Sequence, residues 1–305
     1  MFLIVANQMV IMFILIMIGY VIRKTELVDH SGSKTLSSML LLLVNPILIV
    51  NSFVTVEYNA AKVHGFLLTI LFAFLTHFAA IIAAHFMLPG KDPDTMVERF
   101  SAVYSNCGFM GIPLINSILG AEGVFYVTAY IVVFSILSWT HGLIILTGDS
   151  SPKQLSRGLR SPVMCAVMIG LVCYFLRIQF PVPVEKALTY VANMNTPMGM
   201  FVAGAALAEA HPLLALKKKR VYMVSAVKLF VMPILAIALL LVFRPPETVY
   251  YTVVVAAASP AATTCTMMAM RYGRNYHYAS ELFVVTTLMS MLSIPAVIAL
   301  AELLL

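Results

Sequence analysis

Apolar runs recur along the whole chain, and most of the charge is collected in the short stretches between them. Each run is about 20 residues, the length an α-helix needs to cross a ~30 Å hydrocarbon core. The pattern predicts an all-α integral membrane protein with ten spans, at roughly 2–22, 34–56, 64–88, 99–119, 122–147, 160–178, 184–208, 220–243, 248–270 and 278–303. The first run, Phe2 to Ile22, has no basic stretch before it and no small-residue cleavage site after it. It therefore reads as a retained helix rather than a signal peptide.

Polar residues, glycines and prolines interrupt the pattern in the fourth, seventh and ninth spans. The fourth carries YSNCGFMGIPL at 104–114, which places Asn106, Gly108, Gly111 and Pro113 where an unbroken helix is expected. In the ninth, AASPAATT at 257–264 brings Ser259, Pro260, Thr263 and Thr264. Breaking a helix in hydrocarbon frees N–H and C=O groups, at several kcal/mol each if left unpaired. Such backbone survives only packed in protein or lining a wet cavity. Two broken helices crossing there would offer half-helix N-termini, whose partial positive charge favours anions. Their freed carbonyls would suit a cation or a proton donor. Asn106 adds both a donor and an acceptor, and the serine and threonines add hydroxyls.

A shift of 151 residues brings several of these positions into register. Gly19 falls on Gly170, Asn45-Pro46 on Thr196-Pro197 beside Asn195, Gly108 on Ser259, and His77 on Lys228. Together they predict two copies of one five-helix unit, 1–147 and 160–305, joined by a linker at 148–159. Because five is odd, the second copy enters from the opposite side. The result is a 5+5 inverted repeat with broken, crossing helices 4 and 9. Paired Gly/Pro-interrupted segments in such repeats point to the binding site of a secondary transporter.

Composition agrees: 61% of the 305 residues are hydrophobic and 10% charged, too little charge to cover a soluble domain of this size. Of the 19 basic residues, loops after odd-numbered spans hold Arg23, Lys24, Lys34, Lys91, Arg99, Lys153, Arg157, Arg160, Lys217, Lys218, Lys219, Arg220, Arg271 and Arg274. Loops after even-numbered spans hold only Lys62, Arg177, Lys186 and Arg244. The positive-inside rule puts the odd loops in the cytoplasm and both termini outside it, in a multi-pass protein of the cell (plasma or inner) membrane. The net charge of +6 is thus a topology signal and not a nucleic-acid-binding face. The four cysteines lie within spans, without CxxC spacing or paired histidines, and indicate neither a metal site nor a disulfide framework.

Within the spans, Lys228 lies about eight residues into the eighth, roughly 12 Å deep. It either snorkels to the cytoplasm or serves the site, drawing a substrate carboxylate or holding the carbonyls of the broken helices. His77, in the third span, is a candidate proton site or a packing residue. Glu281, near the start of the tenth span, is the acid to watch, and Asn45 and Asn195 stand beside prolines facing the expected crossing. The candidate substrate-binding set is Asn106, Gly108, Gly111, Pro113, Asn45, Ser259, Pro260, Thr263 and Lys228. The candidate ion- or proton-coupling set is His77, Asn195, Thr264 and Glu281.

SNCGFMGIPLI at 105–115 resembles the fourth-helix signature of auxin efflux carriers, whose plant PIN members carry a similar Asn and Met-Gly-Ile-Pro. SSMLLLLVNPILI at 37–49 is similar to that family's second helix, AASPAATTCTMMAMRYG at 257–273 to its ninth and TTLMSMLSIPAVIAL at 286–300 to its tenth. The long hydrophilic loop of many plant PINs is absent, as in the bacterial malate- and malonate-permease-like members. The resemblance implies an NhaA- or bile-acid-transporter-like fold. It would have a scaffold of spans 1, 2, 6 and 7, a transport domain of spans 3–5 and 8–10, and a homodimer held through the scaffold. It also implies organic-anion substrates, with Asn106 as the crossover asparagine. Ser259-Pro260-Ala261-Ala262 departs from the corresponding PIN run, so the details of recognition differ.

The expected function is secondary transport of a small mono- or dicarboxylate by alternating access, coupled to H⁺ or Na⁺ and with no further cofactor. A ligand-gated channel or membrane ligand sensor on the same fold is the alternative. The chain has no HExxH or GxGD motif of an intramembrane enzyme, and no Walker motif for ATP.

Overall fold

The structure, a computed structural model, describes residues 1–148, 162–209, 215 and 217–305. Beyond Gly148, the expected linker with Lys153 and Arg157, and Arg160 just after it, lie outside the described residues. The regular elements among the described residues are helices: α1 (Phe2–Lys24), α2 (His30–Thr55), α3 (Ala60–Met87), α4 (Pro93–Val103), α5 (Cys107–Thr147), α6 (Pro162–Phe175), α7 (Val182–Asn193), α8 (Asn195–Glu209), α9 (Lys219–Phe243), α10 (Glu247–Ala258), α11 (Thr263–Arg271) and α12 (Tyr276–Leu304). Six of them, α1, α2, α3, α5, α9 and α12, are long and apolar enough to cross a membrane. The apolar helices α6 and α10 are shorter.

Short polar side chains start several of these helices by taking up otherwise unpaired N–H groups. Asp29 accepts from Gly32 N at the head of α2, Asn59 from Ala61 N at α3, Asp92 from Thr95 N at α4 and Asn275 from Tyr278 N at α12. Prolines shape the interiors. Pro46, Pro113 and Pro233 each follow a five-residue π-turn, at Leu40–Val44, Cys107–Gly111 and Val227–Val231. A proline cannot donate to the preceding turn and its ring crowds that turn's carbonyl, so the helix widens there instead of closing. Gly120, with φ of +62°, bends α5 sharply and separates the parts expected as the fourth and fifth spans.

Close helix seams depend on glycine. A Cβ on Gly19 of α1 would come within 2.6 Å of the Phe201 Cα on α8, and Gly204 of α8 sits equally tightly against the backbone of α1. Gly170 of α6 abuts the ring of Phe53 on α2. Phe53 belongs to an aromatic cluster with Phe66, Phe125 and Tyr174. Loops rich in Lys and Arg meet at one end, here the basic end. There Arg23 and His30 pair with Glu209, Lys218 with Glu281 and Arg220 with Glu98.

The interruptions occur where expected, with a different correspondence. Val103 and Ala258, the last residues before the two breaks, are 155 residues apart, and Cys107 and Thr263, the first after them, are 156 apart. By helix ends Gly108 therefore matches the Thr263–Thr264 region, not Ser259. Nor does His77, ten residues before the end of α3, match Lys228, fifteen before the end of α9.

A candidate site where two broken helices meet

Between α4 and α5 the chain runs extended through Tyr104, Ser105 and Asn106, and between α10 and α11 through Ser259 to Ala262. The two segments pair antiparallel. Asn106 N donates to Pro260 O at 2.7 Å and Ala262 N to Tyr104 O at 3.0 Å, flanking a bridge between Ser105 and Ala261. Ala261 N donates to Thr286 Oγ1 of α12 at 3.1 Å, and Asn106 O accepts from Met110 N at 3.1 Å. The interruptions thus satisfy one another's backbone groups, which is the condition for breaking a helix away from water.

Lys228 reaches this junction from the π-turn of α9. Its side chain is fully buried, and Nζ donates to Ser105 Oγ and, at 3.3 Å, to Ala257 O. Ser105 belongs to one broken segment and Ala257 to the last turn before the other, so one amine ties both. Snorkelling is ruled out by this burial. Tyr104 is anchored in turn by α5: its hydroxyl donates to Leu137 O at 2.8 Å and lies 2.9 Å from His141 Nδ1. A Cβ on Gly111 would stand 3.2 Å from Ser259 Oγ, so only a very small residue lets the restarting helix pass the other segment at this distance.

Against this junction lies a cavity of about 240 Å³, lined by Asn45, Ser105, Asn106, Gly108, Thr263 and Thr264 among apolar neighbours such as Phe109, Phe134 and Trp139. Drug-sized ligands occupy about 300–1,000 Å³, so this space suits a smaller solute. Its polar groups include two amides and four hydroxyls, most of them at or beside the breaks, against otherwise apolar walls. That arrangement can orient a small polar molecule without enclosing it in charge.

The sequence pattern of the family described as "Membrane transport protein" matches residues 4–157 and again 146–298. The chain belongs to this family, the auxin efflux carrier family. A protein of Rhizobium meliloti (strain 1021) named "Putative malonate transporter" is 25% identical over 233 residues, covering 72% of each chain.

In this transport protein the expected site residues divide into groups. Asn45, Asn106, Gly108, Thr263 and Thr264 share the cavity. Ser259, Pro260 and Lys228 are buried in the junction beneath it, where Ser259 Oγ donates to Val255 O at 3.0 Å. Pro113 and Asn195 line a different cavity, described below. His77 is buried on α3 with Nδ1 2.7 Å from Ala73 O and its ring 5.0 Å from that of Tyr130, outside both cavities. Glu281 is at the basic end, 2.5 Å from Lys218 Nζ, and does not reach the junction. Ser105 and Thr286 escaped the sequence reading. Ser105 precedes the asparagine inside the quoted motif, but nothing in the sequence indicates that it meets a lysine 123 residues away.

Proposed function

We propose that this protein is a secondary active transporter of a small carboxylate anion, of the size and charge of malonate, working by alternating access. The observation that carries the reading is Asn106: its amide lines a small cavity at the point where two broken helices pair. There the starts of α5 and α11 bring helix N-termini towards the same space, which favours an anion. Membership of a transport family and the malonate name of the relative support the substrate class.

The finer architecture is part of the proposal. Ten spans would form two inverted five-helix units, with α1, α2 and α6–α8 as a scaffold past which the remaining helices carry the crossing. Two seams support it: Gly19 of the first span packs on the seventh, and Gly170, 151 residues later, packs on the second. The basic end would face the cytoplasm and both termini the outside of the cell membrane, with two copies joined through their scaffolds. Protons are favoured over sodium as the coupling ion. Lys228 Nζ already supplies a donor between the two segments, where a sodium ion would require a cage of oxygens.

Thermal-shift titration of the purified protein with malonate, malate, acetate and indole acetate, with and without sodium, tests the reading. Malonate or malate should raise the melting midpoint of the wild type without sodium. Asn106→Ala, unchanged in its ligand-free midpoint, should lose that response. A wild type that responds to no carboxylate would overturn the proposal.

A further inference from the structure

A second cavity, of about 160 Å³, lies further along the two elements that wall the first. On α2 the lining passes from Leu41, Leu42 and Asn45 in the first cavity to Leu48, Ser52 and Thr55 in the second. Asn45, Leu48, Ser52 and Thr55 recur at helical spacing, so they form one stripe, and Asn45 and Ser52 stand about 10 Å apart. On α5 the lining passes likewise from Cys107–Phe109 to Ile112, Pro113 and Asn116. The second cavity is therefore the more distant of the two from the basic end, where α2 begins.

Its lining is more polar than that of the first. Asn51, Asn116, Asn193 and Asn195 line it, together with threonine and serine, and, as in the first, no Lys, Arg, His, Asp or Glu does. Asn195 is 2% exposed, yet neither its Nδ2 nor its Oδ1 has a hydrogen-bond partner in the protein. Buried amides are nearly always bonded, and an unpaired one is a cost unless something arrives to meet it. Asn195 is also firmly placed: it opens α8, the helix locked to α1 through Gly204. The Asn51 oxygen accepts from Thr189 Oγ1 at 3.4 Å, leaving its NH₂ as the free end. Ser52 and Thr55 already spend their hydroxyl protons on Ile49 O and Asn51 O. The donors left to a solute are therefore amide NH₂ groups and the Thr196 hydroxyl.

We infer that this amide-lined cavity is a second subsite for the same carboxylate, occupied on the far side of the crossing, with Asn195 Nδ2 donating to a carboxylate oxygen. The inference rests on the transport reading above. Neutral donors match the shape and polarity of a carboxylate without the full charge that would hold it tightly. Such a site suits a step that must end in release. A solute leaving Asn45 and Asn106 along the α2 stripe would meet Asn195 and Asn51 next.

The test uses the full chain reconstituted in liposomes, reading malonate counterflow, alongside thermal-shift titration with malonate and with sodium chloride alone. Asn195→Ala should keep malonate binding within about twofold while slowing exchange about fivefold or more, a loss of roughly 1 kcal/mol in the rate-limiting step. Asn195→Asp places a negative charge in the cavity and should slow exchange further. Should Asn195→Asp not fold, Asn51→Asp, at a partly exposed position, carries the same charge test. Unchanged exchange in the Ala and Asp variants would overturn the inference and leave the transport reading standing. So would stabilisation or stimulation of an Asp variant by sodium, which would make the cavity a cation site. A wild type that binds no carboxylate would remove both readings, and the Asn106→Ala titration distinguishes that case.

Discussion

Lys228 concentrates at one side chain what the crossing requires. Its amine has no water to turn to and is bonded to Ser105 and Ala257. Replacing it by Met should lower the ligand-free stability by about 1–3 kcal/mol, the usual cost of orphaning buried partners, and reduce exchange severely. Arg should not rescue it, because a planar fork needs room that a fully buried site lacks. Melting midpoints and counterflow on the two variants check both statements. Gly111 makes a steric counterpart. With Ser259 Oγ 3.2 Å from the place of a new Cβ, Gly111→Ala should cost about 1–3 kcal/mol by overpacking. The double variant Gly111→Ala with Ser259→Gly should recover most of the lost midpoint. If it does not, the contact is not what restricts position 111.

At the scale of elements, the long helices were readable because their apolar runs are long, so α1, α2, α3, α9 and α12 begin and end within a few residues of the expected spans. The breaks were readable too, since Asn106 and Ser259-Pro260 do not continue a helix cheaply in hydrocarbon, although Pro113 lies inside α5 and not at the break. How the breaks pair was not readable. Backbone bonds such as Asn106 N to Pro260 O carry no side-chain signature, and the match of Gly108 to Ser259 rested on residues that are common in membrane helices. The unpartnered state of Asn195 is likewise a property of its surroundings and not of its neighbours in sequence. At the basic end, α1, α2 and α8 are pinned by Glu209. Burial opposes its ionisation, but the bonds from Arg23 and His30 outweigh that and hold the carboxyl below its usual range. A depressed carboxylate stabilises the fold above its unfolded pKa of about 4.5 and ceases to do so as the pH falls through the lower folded value. The midpoint of Glu209→Gln should therefore lie below wild type at neutral pH, and the gap should close as the pH falls below about 4.5. A gap that stays constant with pH would mean that packing, not charge, is what Glu209 contributes.

For the whole molecule, the proposed carrier would use the two cavities along α2 with the amine between the broken segments as a fixed donor. Liposomes given a proton gradient without sodium should accumulate malonate or malate, and a protonophore should abolish the accumulation. Accumulation that requires sodium would reassign the coupling ion. The pairing of Ser105 with Ala261 also bears on how such a protein is made. The residues that will satisfy the first break follow it by about 155 codons. At roughly 5–20 residues per second, that is on the order of ten to thirty seconds of synthesis. During that interval the nascent first half holds an exposed seam in hydrocarbon, and an insertion chaperone or the translocon itself has to shelter it. Translation that stalls between the halves would yield a product for quality-control proteolysis. The two halves expressed as separate chains should each be short-lived alone and persist when made together.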